Sequence, residues 1–197
     1  LGVTGQWVAE RVCARVDGVL RDIDRPLEGD CTVSFVDFES TEGKEVFWHS
    51  TSHVLGAAME KAFNANMGVG PAIEQGFYYD AYCGGEALNE ASLKLASGEM
   101  KKLCKPKGSK ALAFELVLAT KAEALDLFKD SRFKEELVAT RVPEGDTRSV
   151  SLYRCGDFVD LCRGPHVRST NVCRSFTLIK NSSAYWMGKQ DNPSMQR

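Results

Sequence analysis

No apolar run in the 197 residues approaches the ~20 needed to cross a membrane. The opening Leu1-Gly2-Val3-Thr4-Gly5 lacks the basic and apolar regions of a signal peptide and has no initiator methionine, so a chain cut from a longer one is expected. Charge of one sign is also nearly lacking: 25 Lys and Arg against 27 Asp and Glu leave a net −2. That excludes a global attraction to nucleic acid, and any RNA contact must come from local basic patches. The seven cysteines are odd in number and contain no CxxC pair, which excludes a zinc ribbon and argues against a disulfide framework. Reduced thiols in a cytosolic protein are expected. What remains, 43% hydrophobic and 26% charged residues, is enough for one large domain or two small ones.

The first forty-odd residues predict a small β-rich unit. Val8 to Arg15 reads as the end of a helix. Asp17-Gly18 between apolar residues suits a tight hairpin turn, because both residues tolerate positive φ. Pro26 to Asp30 is a second turn, and Cys31 to Phe38 alternates with the period of a strand. The polar stretch Glu39 to Gly43 makes a boundary. Beyond it, helices are predicted over Ser50–Ala65 and Asn89–Cys104, the second capped by Asn89, and a third opens at the capping box of Thr120 and Glu123. Strands are predicted at Ala113–Leu118, Ser149–Tyr153 and Ser175–Ile179. The one biased segment, Lys101 to Lys110, holds five lysines; it reads as a solvated loop or as a contact for RNA phosphates.

Histidine is scarce, and its placement is informative. His49 and His53 lie four apart at the start of a predicted helix and so share a face. The third, His166, follows Cys162 by four residues in a turn loosened by Gly164 and Pro165. Two such pairs can converge on three imidazoles and a thiolate, a donor set suited to zinc and equally to proton transfer. Ser50 occupies the position where a HExxH zinc protease carries its glutamate, which excludes that class.

Four segments resemble the threonyl-tRNA synthetase family in its editing domain: Phe47-Trp48-His49-Ser50-Thr51-Ser52-His53-Val54-Leu55-Gly56, Gly70 to Asp80, Phe158 to Val167, and Ser183-Ala184-Tyr185-Trp186-Met187-Gly188. They stand in family order across residues 47 to 188. Met187 departs from the basic residue common at that place. Val19 to Asp30 resembles the end of the family's ubiquitin-like TGS domain, and Asp191 to Arg197 the linker ahead of its aminoacylation domain.

The resemblance implies an α+β chain: a partial β-grasp (TGS, ubiquitin-like) unit over residues 1–43, a two-layer α+β editing domain of the threonyl/alanyl-tRNA synthetase type over 44–188, and the start of a linker over 189–197. The implied reaction is hydrolysis of serine wrongly esterified to the acceptor end of the threonine tRNA. His49, His53, Cys162 and His166 would form its core, with His49 as base, Lys134 holding the water or oxyanion, and Tyr79 and Asp160 binding substrate. The same His/His/Cys/His set holds zinc in related alanyl-tRNA editing proteins, whereas the threonyl family implies metal-free hydrolysis. ATP and a further zinc would belong to the absent aminoacylation domain of a cytoplasmic or organellar parent. That parent would be a homodimer, and the present chain a monomer that needs no membrane. Two other readings stay open: an alanyl-tRNA-type editing protein, and a non-catalytic module that binds zinc or RNA.

Overall fold

The computed structural model describes residues 11–104, 111–143 and 150–197. The first described unit is an antiparallel sheet of three strands, β1 (Cys13–Val16), β2 (Val19–Arg21) and β3 (Val33–Val36), in the order β2-β1-β3. Asp17 and Gly18 take φ of 47° and 85°, closing the predicted hairpin with Val16 opposite Val19. The expected helix end at Val8–Arg15 is corrected over its described part. Residues 13–16 are the central strand of this sheet, where pairing on both sides outweighs any helical preference; residues 8–10 lie outside the described residues. The chain turns again at Asp22–Arg25, just ahead of Pro26.

Helix α1 (Thr41–Phe63) begins nine residues before the predicted start at Ser50. The supposed boundary Glu39–Gly43 is its N-terminus, because Ser40 caps it by accepting the Gly43 N–H at 3.0 Å. Asn64, in the left-handed conformation, ends it. Every residue from Ser50 to Met59 is buried, so the middle of α1 has no solvent face. Its hydroxyls are satisfied within the helix: Ser50 donates to the Val46 carbonyl at 2.7 Å and Thr51 to that of Phe47 at 2.8 Å. Gly56 lets other elements close in, since a Cβ there would lie 2.7 Å from the Tyr79 ring and 2.9 Å from that of Phe158.

Three layers enclose α1. On one side lies α2 (Glu90–Cys104), capped by Asn89 as predicted, with Ala96, Met100 and Cys104 buried in the shared core. On another is the sheet β10-β9-β8, formed by β8 (Glu115–Ala119), β9 (Val150–Cys155) and β10 (Phe158–Leu161). A hairpin of β5 (Ala72–Ile73) and β6 (Gly76–Phe77) covers a third. Helix α3 (Lys121–Leu127) carries the predicted capping box at Thr120 and Glu123, and α4 (Arg132–Arg141) follows it.

A fourth sheet contains β4 (Asn66–Met67), β7 (Ala81–Tyr82), β11 (Ser183–Tyr185) and β12 (Ser194–Gln196), in the order β11-β12-β7-β4. Part of the expected linker 189–197 is thus a strand of this sheet, anchored by buried Met195 and by an ion pair of Arg197 with Asp80. The expected strand at 175–179 is absent. Phe176 and Leu178 alternate inward onto the core, but the backbone there enters no ladder. The chain is therefore a mixed α+β fold built from small sheets. Of the lysine-rich stretch, residues 105–110 lie outside the described residues.

Candidate active site

His49 and His53 sit on consecutive turns in the middle of α1 rather than at a helix start. The end of β10 brings Cys162 and His166 against them. The three imidazoles form a triangle, with ring centroids 5.1 Å (His49–His53), 4.7 Å (His49–His166) and 4.3 Å (His53–His166) apart. Cys162 Sγ lies 3.5 Å from His49 Nε2 and 3.2 Å from His166 Nε2. Both predicted pairs therefore converge.

The ring of His166 is held in one tautomer. Ser50 Oγ lies 3.0 Å from His166 Nδ1 and accepts the Val167 N–H at 3.0 Å. Its own proton goes to the Val46 carbonyl, so the Nδ1 proton of His166 must be donated to Ser50. Nε2 is then bare and faces Cys162. Stacking on Phe114 at 5.0 Å and 17° fixes the ring plane.

Burial sets the charge states. It pushes the imidazoles of His53 and His166 well below their usual 6.5, aided by the neighbouring rings, and lowers His49 as well. All three are neutral bases at neutral pH. Burial also raises the Cys162 thiol to about 11, against the opposing Gly164 N–H. Cys162 without a metal is therefore a thiol and a poor nucleophile at neutral pH.

A second polar group lies behind the first. Asp160, on β10, accepts the Tyr79 hydroxyl at 2.5 Å, pairs with the Lys134 ammonium, and lies 3.4 Å from His53 Nε2. Lys134 also donates to the Tyr79 oxygen at 2.9 Å. Burial pulls Lys134 down to about 7 against the pull of Glu60 and Cys162, while contact with the Asp160 carboxylate favours its charged form. The Nδ1 of His53 is buried and has no hydrogen-bond partner.

A cavity of about 930 Å³ opens on this constellation. His49, His53, Asp160 and Cys162 line its floor, Gly68 to Pro71 one wall, and Arg141 and Arg163 also border it. Tyr79 is fully buried and Lys134 nearly so. Neither borders the cavity; both act on it through Asp160. The predicted residues thus fall into a cavity-facing set of His49, His53, Asp160 and Cys162 and a supporting set of Tyr79, Lys134 and His166. Ser50, Tyr153 and the two arginines were not singled out from sequence. Ser50 alone had a local signal, as a hydroxyl between two histidines of one helix.

The donor set also fits a metal. One ligand atom from each of His49, His53, Cys162 and His166 lies within 4.8 Å of the others. The two sulfur–nitrogen distances, 3.5 and 3.2 Å, are close to the edge of a tetrahedron with bonds of ~2.0–2.3 Å.

Residues 150–197 match the family model described as the threonyl and alanyl tRNA synthetase second additional domain. Along 94% of the chain, 43% of residues are identical to a probable cytoplasmic threonine–tRNA ligase 1 of Dictyostelium discoideum, of which the match covers 25%. Identity is 40% to the human cytoplasmic threonine–tRNA ligase 1 and 38% to the mouse cytoplasmic threonine–tRNA ligase 2, each along the whole chain and covering 26% and 24% of those proteins. The chain spans about a quarter of the length of the curated relatives it matches. It belongs to the threonyl-tRNA synthetase family, as the region that carries the second additional domain.

Proposed function

We propose that this region is the editing hydrolase of a threonine–tRNA ligase, releasing serine wrongly attached to the threonine tRNA. The observation that carries the reading is a cavity, in a chain of this family, floored by neutral imidazoles and one buried carboxylate. The chemical need is general. A pocket that accepts threonine rejects the smaller serine by only ~1–3 kcal/mol, and a second, hydrolytic site supplies the remaining discrimination.

In this mechanism the aminoacyl ester of the terminal adenosine enters the cavity. The substrate's ammonium or hydroxyl binds Asp160, which Tyr79 and Lys134 hold in place. His49 borders the cavity and is neutral above its lowered pKa, so it takes the proton of the attacking water. Lys134, behind Asp160, supplies positive charge that acts on the water or the developing oxyanion from outside the cavity. His53, Cys162 and His166 set the position of His49 and close the floor. Arg141 and Arg163 border the cavity where they can meet phosphates of the acceptor end.

The reaction needs no metal in this reading. Zinc bound by His49, His53, Cys162 and His166 would convert the thiol to thiolate and add a fixed positive charge. Four protein ligands would leave it no position for a catalytic water. Residues 1–43 would be a partial TGS unit of β-grasp type and 44–188 the editing unit. Residues 189–197 would lead toward an aminoacylation domain that uses ATP, threonine and zinc. The parent would act in the cytoplasm, as the names of its relatives have it, and as a homodimer through that domain.

The test is to incubate the chain with seryl- and threonyl-tRNA of the threonine acceptor and follow amino-acid release, alongside His49→Ala. Selective loss of serine that falls at least ~100-fold in the variant is expected from the removal of a general base. Equal cleavage of both esters, or a variant as active as the parent, would refute the assignment.

A further inference from the structure

One carboxylate close to the site belongs to the N-terminal sheet unit rather than to the layers around α1. Asp22 follows β2 directly. Its Oδ1 accepts the backbone N–H of His166 at 2.8 Å, and its Oδ2 accepts the Tyr153 hydroxyl at 2.7 Å. The partners lie 144 and 131 residues away in sequence.

The two contacts act on the same imidazole. Tyr153 packs edge-on to the His166 ring, with centroids 4.5 Å apart at 75°. The Tyr153 hydroxyl also fills the space beside Gly164, where a Cβ would come within 2.1 Å of it. Asp22 thus fixes the peptide of His166 and, through Tyr153, one wall around its ring. The stretch from Cys162 to His166 belongs to no helix or strand, so its place depends on such side-chain bonds. A small shift of His166 would alter the 3.2 Å approach of its Nε2 to Cys162 and, through that sulfur, the setting of His49.

We propose that Asp22 is a positioning residue of the site, and that hydrolysis therefore depends on the N-terminal sheet unit being docked. The proposal rests on the editing reading given above. The packing agrees with it: Val12, Cys13 and Val36 of that unit lie in the same buried cluster as α1 and Phe158. Asp24 adds a surface ion pair with Arg168 at 3.1 Å.

The experiment compares Asp22→Asn, Asp22→Glu and Tyr153→Phe with the parent chain. It measures kcat and KM for seryl-tRNA, the melting temperature, and the nitrogen-15 spectrum of the His166 amide and ring. Asp22→Asn keeps the shape of the side chain and is expected to fold. It should lower kcat by about 10–100-fold with KM unchanged, the range for loss of a group that orients a site residue. Asp22→Glu should recover part of that loss, and Tyr153→Phe should show a smaller one. The His166 amide resonance should move in Asp22→Asn. An unmoved His166 resonance, or an unchanged kcat, would overturn the proposal. If the parent chain itself cleaves no seryl ester, the editing reading fails, and the His166 resonance still decides whether Asp22 orients that residue.

Discussion

Acid should destabilise this protein more steeply than its net charge suggests, because His53 and His166 are folded in as neutral bases. Both are about 1% exposed, and burial holds each well below 6.5. In the unfolded chain each would bind a proton near pH 6.5. The unfolded state therefore binds more protons in the window below 6.5 and above the folded values, so stability is full above that window and falls as pH drops through it. With both rings still neutral in the folded chain at pH 5.5, each histidine contributes a loss on the order of 1 kcal/mol between pH 7.0 and 5.5, or about 2 kcal/mol together, from the ~1.4 kcal/mol per pH unit of one proton. Glu60 opposes this, since burial raises its pKa and its own effect has the reverse sign. With a urea slope of about 2 kcal/mol per M, the midpoint should fall by about 1 M. The assay is urea unfolding of the chelator-treated chain at the two pH values, followed by tryptophan fluorescence. A midpoint that does not move would show that the two rings are not held neutral by burial. The assignment of His49 as a neutral base would then lose its support as well.

Two further outcomes follow from the packing and the buried ion pair. Gly56→Ala should cost about 1–3 kcal/mol by overpacking and displace Tyr79, whereas Gly98→Ala in α2, with open space at its Cβ, should stabilise by about 0.5–1 kcal/mol. Urea melts of the two variants check the contrast, and equal effects would deny the close approach at Gly56. Lys134→Met should cost about 3–5 kcal/mol by leaving the buried Asp160 unpaired. The double variant with Asp160→Asn should recover most of that stability but not the activity, and a double variant no more stable than the single one would deny the pairing.

The parts of the fold legible in sequence are those with local chemical signals. Asp17-Gly18 marks its hairpin because positive φ at both residues is a local requirement. Asn89 and the Thr120–Glu123 box mark helix starts because capping acts over three residues. Cys13–Arg15, read as part of a helix end, and Ser175–Ile179, read as a strand, misled for one shared reason: strand membership depends on a partner elsewhere. The first segment has two partners and the second has none among the described residues. Spacing alone paired His49 with His53 and Cys162 with His166, and the resemblance added Tyr79, Lys134 and Asp160. Their division into cavity-facing and supporting groups came from neither, because it depends on which side of Asp160 faces open space. Asp22 could not be found at all from local pattern, since both its partners lie more than a hundred residues away.

The centre of α1 shows why sequence rules fail where the chemistry lies. Trp48-His49-Ser50-Thr51-Ser52-His53 is largely polar, and a periodicity argument places the helix only from Ser50 onward. The structure instead buries Ser50 through His53 completely. Such burial is tolerable because the hydroxyls of Ser50 and Thr51 donate to carbonyls one turn back, and Ser52 donates to the Gly70 carbonyl at 2.5 Å. The rings of His53 and His166 are buried alongside them, the first with an unpartnered Nδ1, and both bear the cost as lowered basicity. A folding problem that only neutral imidazoles can solve is also what a neutral-pH hydrolase requires. The local conflict between sequence pattern and burial is therefore itself the mark of the site.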